Sequence, residues 1–185
     1  NTSNALAFAG ALGGTLAVKS LGAISVVEQN EDGGLQYGIF TRKLSIEDLT
    51  KVQDKIPHMP TLFQEFIEKA YELRMTAVGR RIFSCRIDHR NDDITADDYR
   101  FDTNSLTHRA WECPELHASL FAYMDRFGLN FGCFDILITK TGDAVFLECN
   151  PNGQWLWVEN MTGLPIAEAI AQELIFASAR GVNTG

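Results

Sequence analysis

The chain has 185 residues, enough for about one globular domain or two small lobes. Hydrophobic residues make up 45% and charged residues 22%, an ordinary balance that excludes a disordered chain. With 24 Asp and Glu against 16 Lys and Arg the formal charge is -8, which excludes a general nucleic-acid binder, because phosphates demand a cationic face. No run of ~18 apolar residues is present to span a membrane. The start, Asn1 to Gly10, has no basic segment and no initiator Met, and reads as the cut edge of a longer protein. Cys85, Cys113, Cys133 and Cys149 stand alone, with no C-x-x-C pair for zinc. Their number allows disulfides, but without a signal peptide they read as free thiols in a reducing cytoplasm.

Ser3 to Leu12 has the form of a helix end, stopped by Gly13 and Gly14. Thr15 to Lys19 is a short apolar strand ending in a charge. Ala23–Gln29 and Leu35–Thr41 flank Asn30-Glu31-Asp32-Gly33-Gly34, a hairpin pattern. Ser45 to Ile56 reads as a helix, with Ser45 as N-cap, Glu47 and Asp48 in the first turn and Pro57 beyond the end. In Leu62 to Arg74, the residues Leu62, Phe63, Phe66, Ile67, Ala70 and Leu73 follow helical spacing. Glu72–Val78 and Ile82–Ile87 around Gly79 read as a second hairpin. Asp88 to Asp102 is acidic and polar, a loop pattern. Pro114 to Phe127 is a helix closed by Gly128, with Leu116, Leu120, Tyr123, Met124 and Phe127 along one stripe. Phe131–Thr139 and Ala144–Asn150 are strands around Thr141-Gly142, and Pro165–Ala179 is the last helix. Helices mixed with hairpins predict an α+β fold with mainly antiparallel sheets.

The last hairpin carries the chemistry. If its turn is the two-residue Thr141-Gly142, Lys140 pairs with Asp143 and Asp135 falls opposite Glu148. Alternation then puts Phe134, Ile136, Ile138, Val145, Leu147 and Cys149 on a core face. Asp135, Glu148 and Asn150 lie on the other face, near Leu137 and Phe146. Two carboxylates ~5 Å apart repel by roughly 3 kcal/mol at an effective dielectric of ~20. A hard divalent cation would offset this, and two carboxylates plus an amide oxygen suit Mg²⁺. A three-residue turn would instead place the acids on opposite faces. Lys19, just before Gly22, is placed to hold a phosphate or is plain surface. Glu72, Arg74 and Arg86 read as cross-strand charge pairs. Arg100 and Arg109 read as surface arginines. Trp155 and Trp157 read as partial core or as a platform beside the acids.

In order, these pieces resemble the ATP-grasp superfamily. The stretch FGCFDILITKTGDAVFLECNPNGQWLWVE, Phe131 to Glu159, with TGLPIAEAIAQEL, Thr162 to Leu174, is similar to the peptide ligases that mature graspetides of the microviridin type. LFQEFIEKAYELRMTAVG, Leu62 to Gly79, and AVKSLG around Lys19 match in type and order. The resemblance implies the ATP-grasp fold, two lobes with nucleotide between them. The smaller lobe would span residues 1–59 and the larger 60–185. It also implies that the Gln64-Glu65-Phe66-Ile67 segment is extended rather than helical.

By the same resemblance, Lys19 would contact the ATP phosphates. Gln64, Glu65 and Ile67 would line the adenine and Glu72 would hold the ribose. Asp135, Glu148 and Asn150 would bind Mg²⁺. Arg86 and Arg100, the latter in Asp98-Tyr99-Arg100, would serve the acceptor carboxylate. The implied reaction turns a carboxylate into an acyl-phosphate that an amine or hydroxyl attacks. The implied partner is a ribosomal precursor peptide with leader and core. A further N-terminal domain of the same enzyme is expected, and a homodimer is an open arrangement. Two other readings stay open: a related amino-acid or glutamate ligase, and a fragment that binds nucleotide or peptide without turnover.

Overall fold

A computed structural model of the chain describes residues 2–21, 25–28, 35–38, 41–54, 56–58, 60–89 and 106–181. The described residues fall into two compact units, one within Asn1–Glu68 and one made of Lys69–Arg90 and Leu106–Gly185.

The first unit opens with helix α1, Thr2–Ala11, an alanine-rich segment that the glycine pair stops. Gly13 and Gly14 take φ of 78° and 94°, and the Gly14 N–H donates to the Ala9 carbonyl at 2.8 Å. Strand β1, Thr15–Ser20, follows; β2, Ser25–Glu28, and β3, Leu35–Gly38, form the anticipated hairpin, and β4 is Arg42–Ser45. Helix α2, Ile46–Lys51, starts on a capping box, in which Ser45 Oγ accepts the Asp48 N–H at 3.1 Å and the Asp48 carboxylate accepts the Ser45 N–H at 3.3 Å. The helix expected through Ile56 ends at Lys51, and a separate short turn of 3-10 helix covers Ile56–His58. Strand β5, Thr61–Glu65, pairs with β1, which lies centrally between β4 and β5. Ala5, Ala9, Leu16 and Leu49 are its buried core, with Val18 and Phe63 packed against them.

The second unit begins with β6, Lys69–Val78, and β7, Arg81–His89, turned at Gly79 with φ 57°. Strand β8, Leu106–Trp111, was not anticipated; helix α3, His117–Phe127, ends as expected at Gly128, φ 64°. Strands β9, Phe131–Thr139, and β10, Ala144–Asn150, precede helices α4, Leu156–Thr162, and α5, Ile166–Gly181. Among the described residues one antiparallel sheet runs β10-β9-β6-β7-β8. One face, with Leu73, Met75, Ala77, Phe134, Ile136 and Ile138, packs on Leu120 and Met124 of α3.

Helical spacing in Leu62 to Arg74 thus gives way to two strands. β5 pairs with β1, and β6 is hydrogen-bonded on both sides, to β7 and β9. Tertiary pairing overrides a local period that a short apolar run leaves ambiguous. The extended reading that came from the resemblance is the one the structure has.

Candidate active site

Asp135 on β9 pairs with Glu148 on β10, and Asn150 pairs with Cys133. The expected partnership of the two acids exists, but its route differs. The turn holds three residues, Lys140 to Gly142, because the Thr139 N–H donates to the Asp143 carbonyl at 2.9 Å. Gly142 takes φ 91°, the left-handed conformation such a turn needs. That turn alone would set the acids on opposite faces. A bulge between Phe146 and Glu148 adds one residue to β10 and restores the register.

Val145 and Phe146 therefore exchange the faces expected of them. Phe146 pairs with Ile136 and packs on Tyr123 and Phe134 on the core side, with ring centroids 5.5 and 6.4 Å away. Val145 pairs with Leu137 on the acid side.

The next strand supplies a cation that sequence reasoning treated as an ordinary pair. Arg74 on β6 pairs with Asp135, and its Nη1 donates to both carboxylate oxygens at 2.8 Å. Both side chains are largely buried, at 7% and 14% exposure. Glu148, Asp135 and Arg74 thus form one row across three strands. Burial pushes the Asp135 carboxyl above its usual range, against the pull of Arg74 and with the negative charges of Glu148 and Glu72 adding to it. The chain after β10 folds back over this row. Arg74 Nη2 donates to the Gln154 carbonyl at 3.0 Å, and Cys133 Sγ donates to the Gly153 carbonyl at 3.6 Å. A Cβ on Gly153 would lie 2.6 Å from Cys133 Cβ and 2.9 Å from Arg74 Nη2, so this approach requires glycine. Asn150 Oδ1 accepts the Asn152 N–H at 2.9 Å and shapes the same turn.

Glu72, on the acid face through its pairing with Leu137, is 7% exposed and meets Lys69 Nζ at 2.6 Å. His108 of β8 pairs with Ile87, the partner of Glu72, and touches the half-buried Trp157 ring at 5.5 Å between centroids. Trp157 therefore packs over the β8 end of the acid face, and Trp155 is half-buried at the start of α4.

Arg86 does not join this face. It pairs with Leu73, so alternation puts it on the opposite, core side. There its guanidinium lies over Tyr71 at 3.6 Å and Trp111 at 4.8 Å and donates to Asp88 at 2.6 to 3.0 Å. Arg109 shares Asp88, at 3.3 Å. A one-residue step along a strand reverses the face, so Arg86 lies on the face opposite Asp135 and Arg74 is the arginine that faces the acids. Arg100 lies outside the described residues.

In the first unit Lys19 pairs with Leu62, Gln64 with Ala17 and Glu65 with Leu16. Lys19 and Gln64 therefore share the face of β1 and β5 turned away from Leu16 and Val18, whereas Glu65 is exposed on the other. Ile67 is half-buried in the 66–68 connection.

The donor set suits a hard cation: two facing carboxylates and an amide oxygen, with Asp135 held above its usual range by burial. Among the described residues no three His, Cys, Asp or Glu side chains converge on one point.

No family profile and no curated protein sequence matches the chain. Solved structures do. A Chryseobacterium gregarium RiPP-associated ATP-grasp ligase, in complex with ADP and a leader and core peptide, superposes with a TM-score of 0.82 at 23% identity, over 96% of this chain and 53% of its own. The macrocyclase MdnC from Microcystis aeruginosa, bound with precursor peptide MdnA, superposes at 0.79 with 29% identity, over 96% and 54%. D-cycloserine synthetase DcsG superposes at 0.64 with 14% identity, over 94% and 59%. The chain spans about half the length of the first two. Its α+β architecture with antiparallel sheets is that of an ATP-grasp fold.

Proposed function

We propose that the chain is the ATP-grasp part of a ligase that activates a carboxylate with ATP and joins it to an amine or hydroxyl, both on side chains of a ribosomal precursor peptide. The carrying observation is the row Glu148, Asp135, Arg74 on one sheet face. That row sits in a fold matched at a TM-score of 0.82 by a ligase solved with ADP, leader and core peptide. In this reading Asp135, Glu148 and Asn150 hold Mg²⁺, which when bound draws negative charge from phosphate oxygens. Arg74 pulls Asp135 towards its ionised form, against burial, and aims its carboxylate. In the first unit Lys19 meets the phosphates and Gln64, Glu65 and Ile67 meet the adenine, while Glu72 of the second takes the ribose hydroxyls. The first unit acts as the smaller lobe and the second as the larger.

A substrate carboxylate oxygen attacks the γ-phosphorus and ADP leaves. The amine or hydroxyl then attacks the acyl carbon, phosphate leaves, and the nucleophile gives up one proton. The net products are an amide or ester, ADP and phosphate. No described helix is long and apolar enough to cross a membrane. The test is ADP release with Mg²⁺, ATP and an acidic peptide rich in Thr, Ser and Lys, with mass spectrometry of the peptide. Loss of one water per ring supports the reading. ADP formed only with free amino acids points to an amino-acid ligase, and nucleotide binding without ADP overturns catalysis.

A further inference from the structure

Lys69 is the first residue of β6 and directly follows the 66–68 connection. Glu72 follows three positions later, and strict alternation would send the two side chains to opposite faces. The strand does otherwise. Its register with β9 shifts between Lys69 and Tyr71, so that Lys69 pairs with Thr139 while Glu72 pairs with Leu137. Thr139 and Leu137 are two apart on β9 and share a face, which is the face of Asp135. The bulge thus turns Lys69 onto the acid face, where its Nζ lies 2.6 Å from Glu72 Oε1. Both side chains are nearly covered, at 13% and 9% exposure. Bulges next to binding sites commonly re-aim one side chain.

A carboxylate this buried needs a charged partner, and it accepts through two oxygens. An ammonium fixed on Oε1 sets the direction in which the group presents itself. We propose that Lys69 is a positioning residue for the nucleotide, holding the Glu72 carboxylate in the orientation that receives the ribose hydroxyls. This rests on the reading of Glu72 as the ribose ligand. Lys69 needs no contact with the nucleotide for this role, which separates it from the phosphate-binding Lys19.

The test is calorimetric binding of ATP and of 2′,3′-dideoxy-ATP, with Mg²⁺, to the full chain. Wild type should prefer ATP by about tenfold or more, as for a hydrogen bond to a charged group. Glu72→Gln should lose that preference. Lys69→Met should lose most of it as well, with dideoxy-ATP affinity nearly unchanged, and Lys69→Arg should keep it. If Glu72→Gln abolishes the preference and Lys69→Met retains it, the positioning role is overturned and the ribose reading stands. If wild type binds the two nucleotides equally, or binds neither, the ribose reading fails and this inference falls with it. If Lys69→Met does not fold, Lys69→Gln takes its place: a lost preference supports the positioning role, and a retained one overturns it.

Discussion

At the scale of single residues, the pair Arg74 and Asp135 governs the site. Both are buried, so removing one partner strands the other's charge. Arg74→Met should cost about 3–5 kcal/mol in chemical denaturation, far more than an exposed pair would. Glu148 is exposed, and Asp135 already turns to Arg74. The repulsion expected from sequence is thus largely relieved, and Glu148→Gln should change stability by no more than about 0.5 kcal/mol. Turnover, read as ADP release, should still fall at least ~100-fold through loss of a charge that matters in the transition state. The cysteines differ by environment. Burial pushes the Cys85 thiol up to about 11 and, with the Glu115 carboxylate beside it, the Cys113 thiol up to about 12. A raised thiol pKa keeps the folded chain protonated where the unfolded chain ionises. Their contribution to stability is therefore intact at neutral pH and declines as pH rises from the ordinary thiol range towards these values. At pH 8, iodoacetamide should modify half-buried Cys149 before Cys85 or Cys113, as mapped by peptide mass; equal rates would contradict this.

At the scale of elements, the β9–β10 hairpin shows two local irregularities cancelling. A two-residue turn without a bulge would also set Asp135 opposite Glu148. It would, however, place Phe146 on the acid face, away from Tyr123 and Phe134. The observed three-residue turn and bulge keep that aromatic contact and the acids together. Phe146→Ala should therefore cost roughly 1–2 kcal/mol although the ring is 49% exposed, and should lower turnover by loosening the register that aims Glu148. The segment after β10 is the second element-scale device. Gly153→Ala inserts a methyl where Cys133 and Arg74 already stand. Thermal unfolding should show a loss of about 1–3 kcal/mol from overpacking. Unchanged stability would mean that the segment does not close over the row.

At the scale of the whole molecule, each unit has buried hydrophobic residues of its own among the described residues. The buried core of the first unit is Ala5, Ala9, Leu16 and Leu49, three of which belong to the helices α1 and α2, whereas that of the second rests on a sheet of five strands. Trp111, Trp155 and Trp157, the whole tryptophan content, lie in the second unit. Urea unfolding followed by tryptophan fluorescence should thus report the second unit alone, while far-ultraviolet circular dichroism reports both. The circular dichroism transition should begin at lower urea. Coincident curves would show that the units unfold as one cooperative body.

Sequence alone determined the features that local chemistry dictates. Ser45 with Asp48 caps a helix, Gly79 and Gly128 turn the chain, and the stripe of α3 packs on the sheet. The motif around Asp135, Glu148 and Asn150 was legible because an acid opposite an acid on a hydrophobic hairpin demands an explanation. Tertiary structure decided what depends on pairing across the sheet. Periodicity over Leu62 to Arg74 favours a helix, and only the partners of β5 and β6 make it extended. Arg74 and Arg86 look equivalent in sequence, yet one faces Asp135 and the other Tyr71, because strand alternation sorts them and the register fixes which partner each meets. The bulges at Lys69 and before Glu148 leave no mark in composition or spacing. They are set by which large side chains the neighbouring strands and α3 can bury, a property of the assembled sheet and of no single segment.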